Sequence, residues 1–202
     1  MRFKICGIHF EISYLLLCLA AISVILGIFQ SFCYCVIAVI IHESGHLITM
    51  IILGYFPGRI KILLFEISIS DPSRQERSRR ENLLIIFFGP ASNFICVLPL
   101  FLLYLCGTEK ILPFAAANLS VGLFNLLPVM SLDGGQLLYI FLCRRRSPEQ
   151  AEKIVCRLTF ICIFPIAALG FVILFHSHYN FSLLFVCVYL IFALLTRQEK
   201  YY

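Results

Sequence analysis

The sequence predicts an all-α polytopic membrane protein, and three observations carry that prediction. Of its 202 residues 61% are apolar and only 13% charged, far from the balance of a soluble domain. The apolar residues gather into stretches long enough to supply the ~20 residues that a helix needs to cross hydrocarbon. The basic residues fall almost entirely on alternate linkers between those stretches. Six spans follow, at about 12–29, 32–54, 81–106, 111–143, 154–175 and 181–196. One integral membrane domain over residues 1–202, with no soluble module, is the expected organisation.

The first span follows Arg2 and Lys4 as a secretory signal would, but it runs on without an Ala-x-Ala cleavage pattern and is read as an uncleaved helix. Arg59, Lys61, Arg74, Arg77, Arg79 and Arg80 follow the second span, and Arg144, Arg145, Arg146, Lys153 and Arg157 follow the fourth. Arg197 and Lys200 close the chain, so that of 16 basic residues only Lys110 falls on the other side. Basic flanks are retained in the cytoplasm, which places both termini there. The net charge of +5 is thereby a matter of topology: its clusters are divided among short loops, which speaks against nucleic acid as a partner. Most of the 10 cysteines, including Cys18, Cys96, Cys162 and Cys187, lie inside apolar runs and read as embedded thiols rather than a disulfide framework.

Two segments depart from simple helices. Between the second and third spans, Lys61 to Ser70 partly alternates apolar with polar side chains, most clearly from Phe65 onward, and is bracketed by Gly58 and the turn residues Asp71-Pro72-Ser73. A short β-like hairpin at the cytoplasmic interface is expected there. The fourth stretch is too long for one straight crossing and carries Asn125, Pro128, Asp133, Gly134 and Gly135 in its second half. It should be broken, and irregular backbone at membrane depth is tolerated where it lines a polar cavity within protein.

The second span contains His42-Glu43-Ser44-Gly45-His46. Histidines four apart lie on one helical face, so both imidazoles can reach one zinc at ~2.0–2.1 Å. Glu43 stands beside the metal rather than on it, where a carboxylate can take a proton from a water acidified by the ion and return it to the departing amine. Chance polar residues are the alternative, but groups of this kind in an apolar span cost ~2.5–3.5 kcal/mol or more for a single charge and need partners or a metal. A catalytic zinc takes a third protein ligand, and Asp133 lies at a depth in its span similar to that of His46. Capping of a loop is the other reading of Asp133. His176 with His178, Cys33 with Cys35, and His9 lack further ligands nearby in sequence and are not read as metal sites.

The order of these motifs, with Gly89-Pro90-Ala91-Ser92-Asn93 in the third span and Asn125-Leu126-Leu127-Pro128 followed by Leu132-Asp133-Gly134-Gly135 in the fourth, resembles the site-2 protease family of intramembrane zinc metalloproteases. It is similar especially to the small bacterial branch that processes a sporulation sigma-factor precursor. The resemblance implies a zinc metalloendopeptidase of regulated intramembrane proteolysis in a bacterial cytoplasmic membrane, with one Zn2+ per chain held by His42, His46 and Asp133 and with Glu43 as general base. Its substrate would be a membrane-bound regulatory protein, cut within or near a transmembrane segment.

Asn125 matches the asparagine that holds the scissile carbonyl or its oxyanion, although capping of the break before Pro128 is an equal reading. Asn93 either lines the cavity and meets substrate or acts as polar glue between helices. Phe65 and Ile67, in the strand-like segment, are placed to bind substrate by adding an extended peptide to a strand edge, against a surface anchor as the alternative. Ser131 departs from the pattern, which commonly has proline there. No PDZ-like insertion or nucleotide-sensing domain is expected. Two other functions use the same residues: an intramembrane metal-ion transporter, and a catalytically silent membrane regulatory partner.

Overall fold

The computed structural model describes residues 2–5, 8–12, 14–56, 59–62, 67–70 and 77–176. Phe65, His178 and the expected sixth span lie outside them. Most of the described chain is helical: α1 (Tyr14–Ile25), α2 (Phe29–Ile52), α3 (Arg79–Leu105), α4 (Leu112–Asn125), α5 (Asp133–Leu142) and α6 (Pro148–His176), with a single 3-10 turn at Glu109–Ile111 before α4. Four short strands, β1 (Arg2–Ile5), β2 (Ile8–Ile12), β3 (Arg59–Ile62) and β4 (Ile67–Ser70), form one sheet in the order β1-β2-β3-β4. The outer pairs are antiparallel and β2 runs parallel to β3, with His9 opposite Arg59 and Ile12 opposite Ile62.

The sheet differs from the sequence expectation in extent. The residues before the first apolar run form strands, and Ile12, expected to open a span, ends β2 instead. Strand pairing between segments some 50 positions apart leaves no local period in so short a run. The first helix is also shorter than expected, with 12 residues. Among the described residues, two helices, α2 and α3, are long and apolar enough to cross a membrane.

The chain divides into two units, Met1–Leu123 and Phe124–Tyr202. In the first, α2 packs along α3 with an inverted polarity. Ala38, His42, Gly45 and Thr49, spaced by three and four, are buried, whereas Ile37, Ile40, Ile48 and Ile51 are exposed. On α3, Ile85, Gly89 and Asn93 face inward, and Phe87, Ile95, Leu98 and Leu102 face outward. Polar and small side chains inside an apolar exterior are the arrangement that lipid favours, because hydrocarbon gives no hydrophobic drive between helices and polar groups must find partners within the protein.

Local chemistry fixes the ends of these helices. Gly54 and Gly107, at φ +85° and +93°, end α2 and α3 in the same way. Gly54 donates to the Ile51 carbonyl and Tyr55 to that of Met50, while Gly107 and Thr108 donate to Tyr104 and Leu103. α3 begins with a capping box in which the Ser78 amide donates to Glu81 Oε2 (2.7 Å) and the Glu81 amide to Ser78 Oγ (3.3 Å). The Arg77 guanidinium lies 4.5 Å from the centre of the Tyr55 ring, tying the end of α2 to the start of α3. Cys18, Cys33, Cys35, Cys96, Cys106 and Cys162 are free thiols.

In the second unit, Val129 and Ile163 are buried, with Phe124, Leu127, Leu132 and Ile166 packed around them. The long fourth apolar stretch is divided into α4 and α5 by residues 126–132. Buried Thr159 of α6 holds this break: its hydroxyl accepts from the Met130 amide (2.9 Å) and donates to the Val155 carbonyl (2.9 Å). Replacing Thr159 by the isosteric valine leaves the Met130 N–H buried without that acceptor, at a cost of ~1–3 kcal/mol. The expected outcome is a lower thermal unfolding midpoint for the Thr159→Val protein in detergent.

Candidate metal centre

His42 and His46 lie one turn apart on α2, and their Nε2 atoms are 3.2 Å from each other. The other nitrogen of each ring is held by an acceptor. His46 Nδ1 donates to the Ile85 carbonyl of α3 at 2.8 Å, and a carbonyl can only accept. His42 Nδ1 is 3.0 Å from Asn93 Oδ1. The Asn93 amide is oriented by its own donor end, since Nδ2 donates to the Ala38 carbonyl at 2.9 Å and to Asn118 Oδ1 at 3.2 Å. Both rings therefore donate from Nδ1, and both Nε2 atoms face the same small volume. Between two neutral rings the lone pairs at that distance repel unless a proton or a metal ion lies between or beside them, and a metal ion with imidazole ligands meets this requirement.

Glycines make room for the pair. A Cβ at Gly45 would overlap the carbonyl of Phe88, and one at Gly89 would overlap the imidazole of His46. The helices approach closely because neither position has a side chain. Ser92 adds a cross-link, donating to the Ile41 carbonyl at 2.8 Å.

Glu43, next to His42 on α2, is half-buried, as is His46. Asp133 is the first residue of α5, where the positive end of the helix dipole favours a carboxylate. Its position is enforced by the two residues that follow. A Cβ at Gly134 would overlap the carbonyl of Leu126, and one at Gly135 that of Val129, so the first turn of α5 lies directly on the irregular backbone before it. Asn125 is the last residue of α4, half-buried beside the break. His42 and His46 in the first unit, and Asp133 in the second, are described residues whose side chains can act as metal ligands. The donor set, two imidazoles and a carboxylate, fits a zinc site that keeps a further position open.

Of the residues read as substrate-binding, Ile67 lies in β4. Asn93 is fully buried, and its amide is engaged by His42, Ala38 and Asn118, which favours the polar link between helices over contact with substrate. Asn118, not singled out in the sequence, is equally buried and donates to the Phe114 carbonyl at 3.0 Å. An asparagine inside the apolar run of α4 is the signal that could have identified it, because such a group needs a partner at membrane depth.

Comparison with known proteins bears on the fold and on part of the chain. Residues 106–166, which include Asn125 and Asp133 but not the His42 to His46 segment, match the model of Peptidase family M50. Over 139 residues, 67% of this chain and 48% of the relative, the sequence is 25% identical to Stage IV sporulation protein FB of Bacillus subtilis (strain 168). The chain thus spans about half the length of that relative. Among solved structures, Site-2 Protease from Methanocaldococcus jannaschii superposes with a TM-score of 0.71 at 21% identity, covering 98% of this chain and 95% of that one. The chain shares that fold, and the resemblance to the site-2 proteases read from its motifs is borne out.

The contact between Gly89 and His46 provides a direct check. In a Gly89→Ala variant the new methyl group displaces the imidazole, and zinc affinity measured by chelator competition is expected to fall by at least ~10-fold, the lower end of what supporting residues of a metal site contribute.

Proposed function

We propose that this protein is an intramembrane zinc metalloendopeptidase that cleaves a peptide bond within or near a transmembrane segment of a membrane-bound regulatory protein. The observation that carries this reading is the pair of facing imidazole nitrogens, 3.2 Å apart, on the helix that also carries Glu43. His42, His46 and Asp133 would hold one Zn2+ per chain. That ion supplies Lewis-acid polarisation of the scissile carbonyl and acidifies water enough for deprotonation near neutral pH.

The chain's own groups do the remaining work. Glu43 accepts a proton on a carboxylate oxygen as the water oxygen bonds to the scissile carbon. It delivers that proton to the amide nitrogen as the carbon–nitrogen bond breaks, leaving a carboxylic acid and an amine, and the acid proton then passes to the amine to give a carboxylate and an ammonium. Asn125, at the end of α4, holds the carbonyl oxygen of the substrate through its side-chain N–H. β4 ends the strand order, and an extended substrate segment adds to it at the level of Ile67 by main-chain hydrogen bonds. The protein acts as a multi-pass component of a bacterial cytoplasmic membrane with both termini in the cytoplasm. The exposed isoleucines, leucines and phenylalanines of α2 and α3 support that placement, since apolar surface of this extent suits lipid.

Co-expression with a membrane-anchored reporter substrate tests the mechanism. Glu43→Gln is expected to lower cleavage by ~10²–10⁴-fold, the usual contribution of a general base, while one zinc per chain is retained. Unchanged cleavage would remove Glu43 as the base; zinc flux without cleavage would instead favour the transporter. Removing the metal with a chelator is expected to abolish cleavage in detergent, and restored Zn2+ is expected to return it. Cleavage that survives complete metal removal would contradict the assignment.

A further inference from the structure

His46 is anchored by a backbone carbonyl, whereas His42 is anchored by a side chain that is itself held by another side chain. Beginning at α4, the Phe114 carbonyl accepts from Asn118 Nδ2 (3.0 Å), Asn118 Oδ1 accepts from Asn93 Nδ2 (3.2 Å), and Asn93 Oδ1 faces His42 Nδ1 (3.0 Å). Every link has a defined direction. The Phe114 carbonyl can only accept, which turns the Asn118 amide so that its oxygen meets Asn93. That oxygen, together with the Ala38 carbonyl, turns the Asn93 amide so that its own oxygen meets His42. Reversing either amide would set oxygen against oxygen at a site where both asparagines have no solvent exposure.

Packing holds the relay in place. At Gly122, one turn beyond Asn118 on α4, an added Cβ would lie 3.3 Å from the Asn93 Cβ, so the absence of a side chain there lets α4 and α3 come close. Ala38, the second acceptor for Asn93, lies one turn before His42 on α2, so a single amide grips the helix as well as the ring.

We infer that Asn93 and Asn118 form a positioning relay of two amides, running from α4 through α3 to α2, that fixes the ring orientation and the protonated nitrogen of His42 and so sets the metal affinity of the site. The inference rests on the reading of His42 as a zinc ligand. Neither asparagine touches substrate. Their function is to keep His42 Nδ1 donating to Asn93 and so to aim Nε2 at the ion, the role that outer hydrogen-bond partners have for metal-binding histidines.

The test is Zn2+ affinity of the full-length protein in detergent, measured by chelator competition, together with the visible spectrum of the Co2+-loaded protein. Asn93→Ala is expected to weaken zinc binding by ~10–100-fold and to alter the cobalt bands. Asn93→Asp keeps an acceptor for His42 Nδ1–H but sets an oxygen against the Ala38 carbonyl and Asn118 Oδ1, and is expected to recover only part of that loss. Asn118→Leu, close in volume but unable to accept, is expected to cause a smaller loss and to add nothing further when combined with Asn93→Ala, as members of one network do.

Equal affinity of the wild type and Asn93→Ala would overturn the relay, as would an Asn93→Asp protein as weak as Asn93→Ala. Additive losses in the double variant would overturn the link through Asn118. If Asn93→Ala does not fold, the comparison of Asn93→Asp and Asn118→Leu with the wild type decides: an unchanged cobalt spectrum in Asn118→Leu overturns the inference. A wild-type chain that binds no zinc would contradict the metal reading itself, a result distinct from all of these.

Discussion

Two imidazole nitrogens bearing lone pairs face each other 3.2 Å apart on α2, and much of the surrounding structure reads as what is needed to keep them there. Between two neutral rings that contact is repulsive. It is maintained because both rings are turned by hydrogen bonds that their far nitrogens donate, one to the Ile85 carbonyl and one to Asn93 Oδ1. The missing side chains of Gly45 and Gly89 let α3 come close enough to supply those bonds. In the proposed metal site a divalent cation would convert that repulsion into ligation and offset the cost of building the pair.

The same constraint explains the distribution of polarity. Buried His42, Thr49, Asn93 and Asn118 lie inside helices whose outward faces are isoleucine, leucine and phenylalanine. In an apolar medium an unsatisfied polar group costs several kcal/mol, on the order of 2–7 kcal/mol, which selects interiors where each amide or hydroxyl has a defined partner. The second unit follows the same rule at the break between α4 and α5, where Thr159 takes up the Met130 amide. Ser131, at the position where the related pattern commonly has proline, lies in this break, and its hydroxyl makes none of the hydrogen bonds that hold it.

What could be read from the sequence was whatever has a short period or a fixed spacing. The His42 to His46 pattern identifies its own chemistry because one helical turn brings the two rings together. The break before Asp133 follows from Pro128 and the paired glycines, and the structure places it between Asn125 and Asp133. The strands before residue 13 were not legible, since their partners in β3 are remote in sequence and the run is short. Asn118 and Thr159 were overlooked for a related reason: a single polar residue in an apolar run indicates that it needs a partner without indicating which one. The capping box of Ser78 and Glu81 was legible in principle and marks the start of α3 two residues before the expected position. Whether Asn93 meets substrate or links helices could be addressed only by three-dimensional contacts, because both uses call for the same side chain.

X-ray absorption at the zinc edge of the purified full-length protein tests the central claim most directly. The account predicts one zinc per chain in a first shell of nitrogen and oxygen at ~2.0–2.1 Å, with outer-shell scattering from two imidazoles. A zinc shell with sulfur or with no imidazole, or a protein that takes up no zinc while its fold is intact, would contradict it.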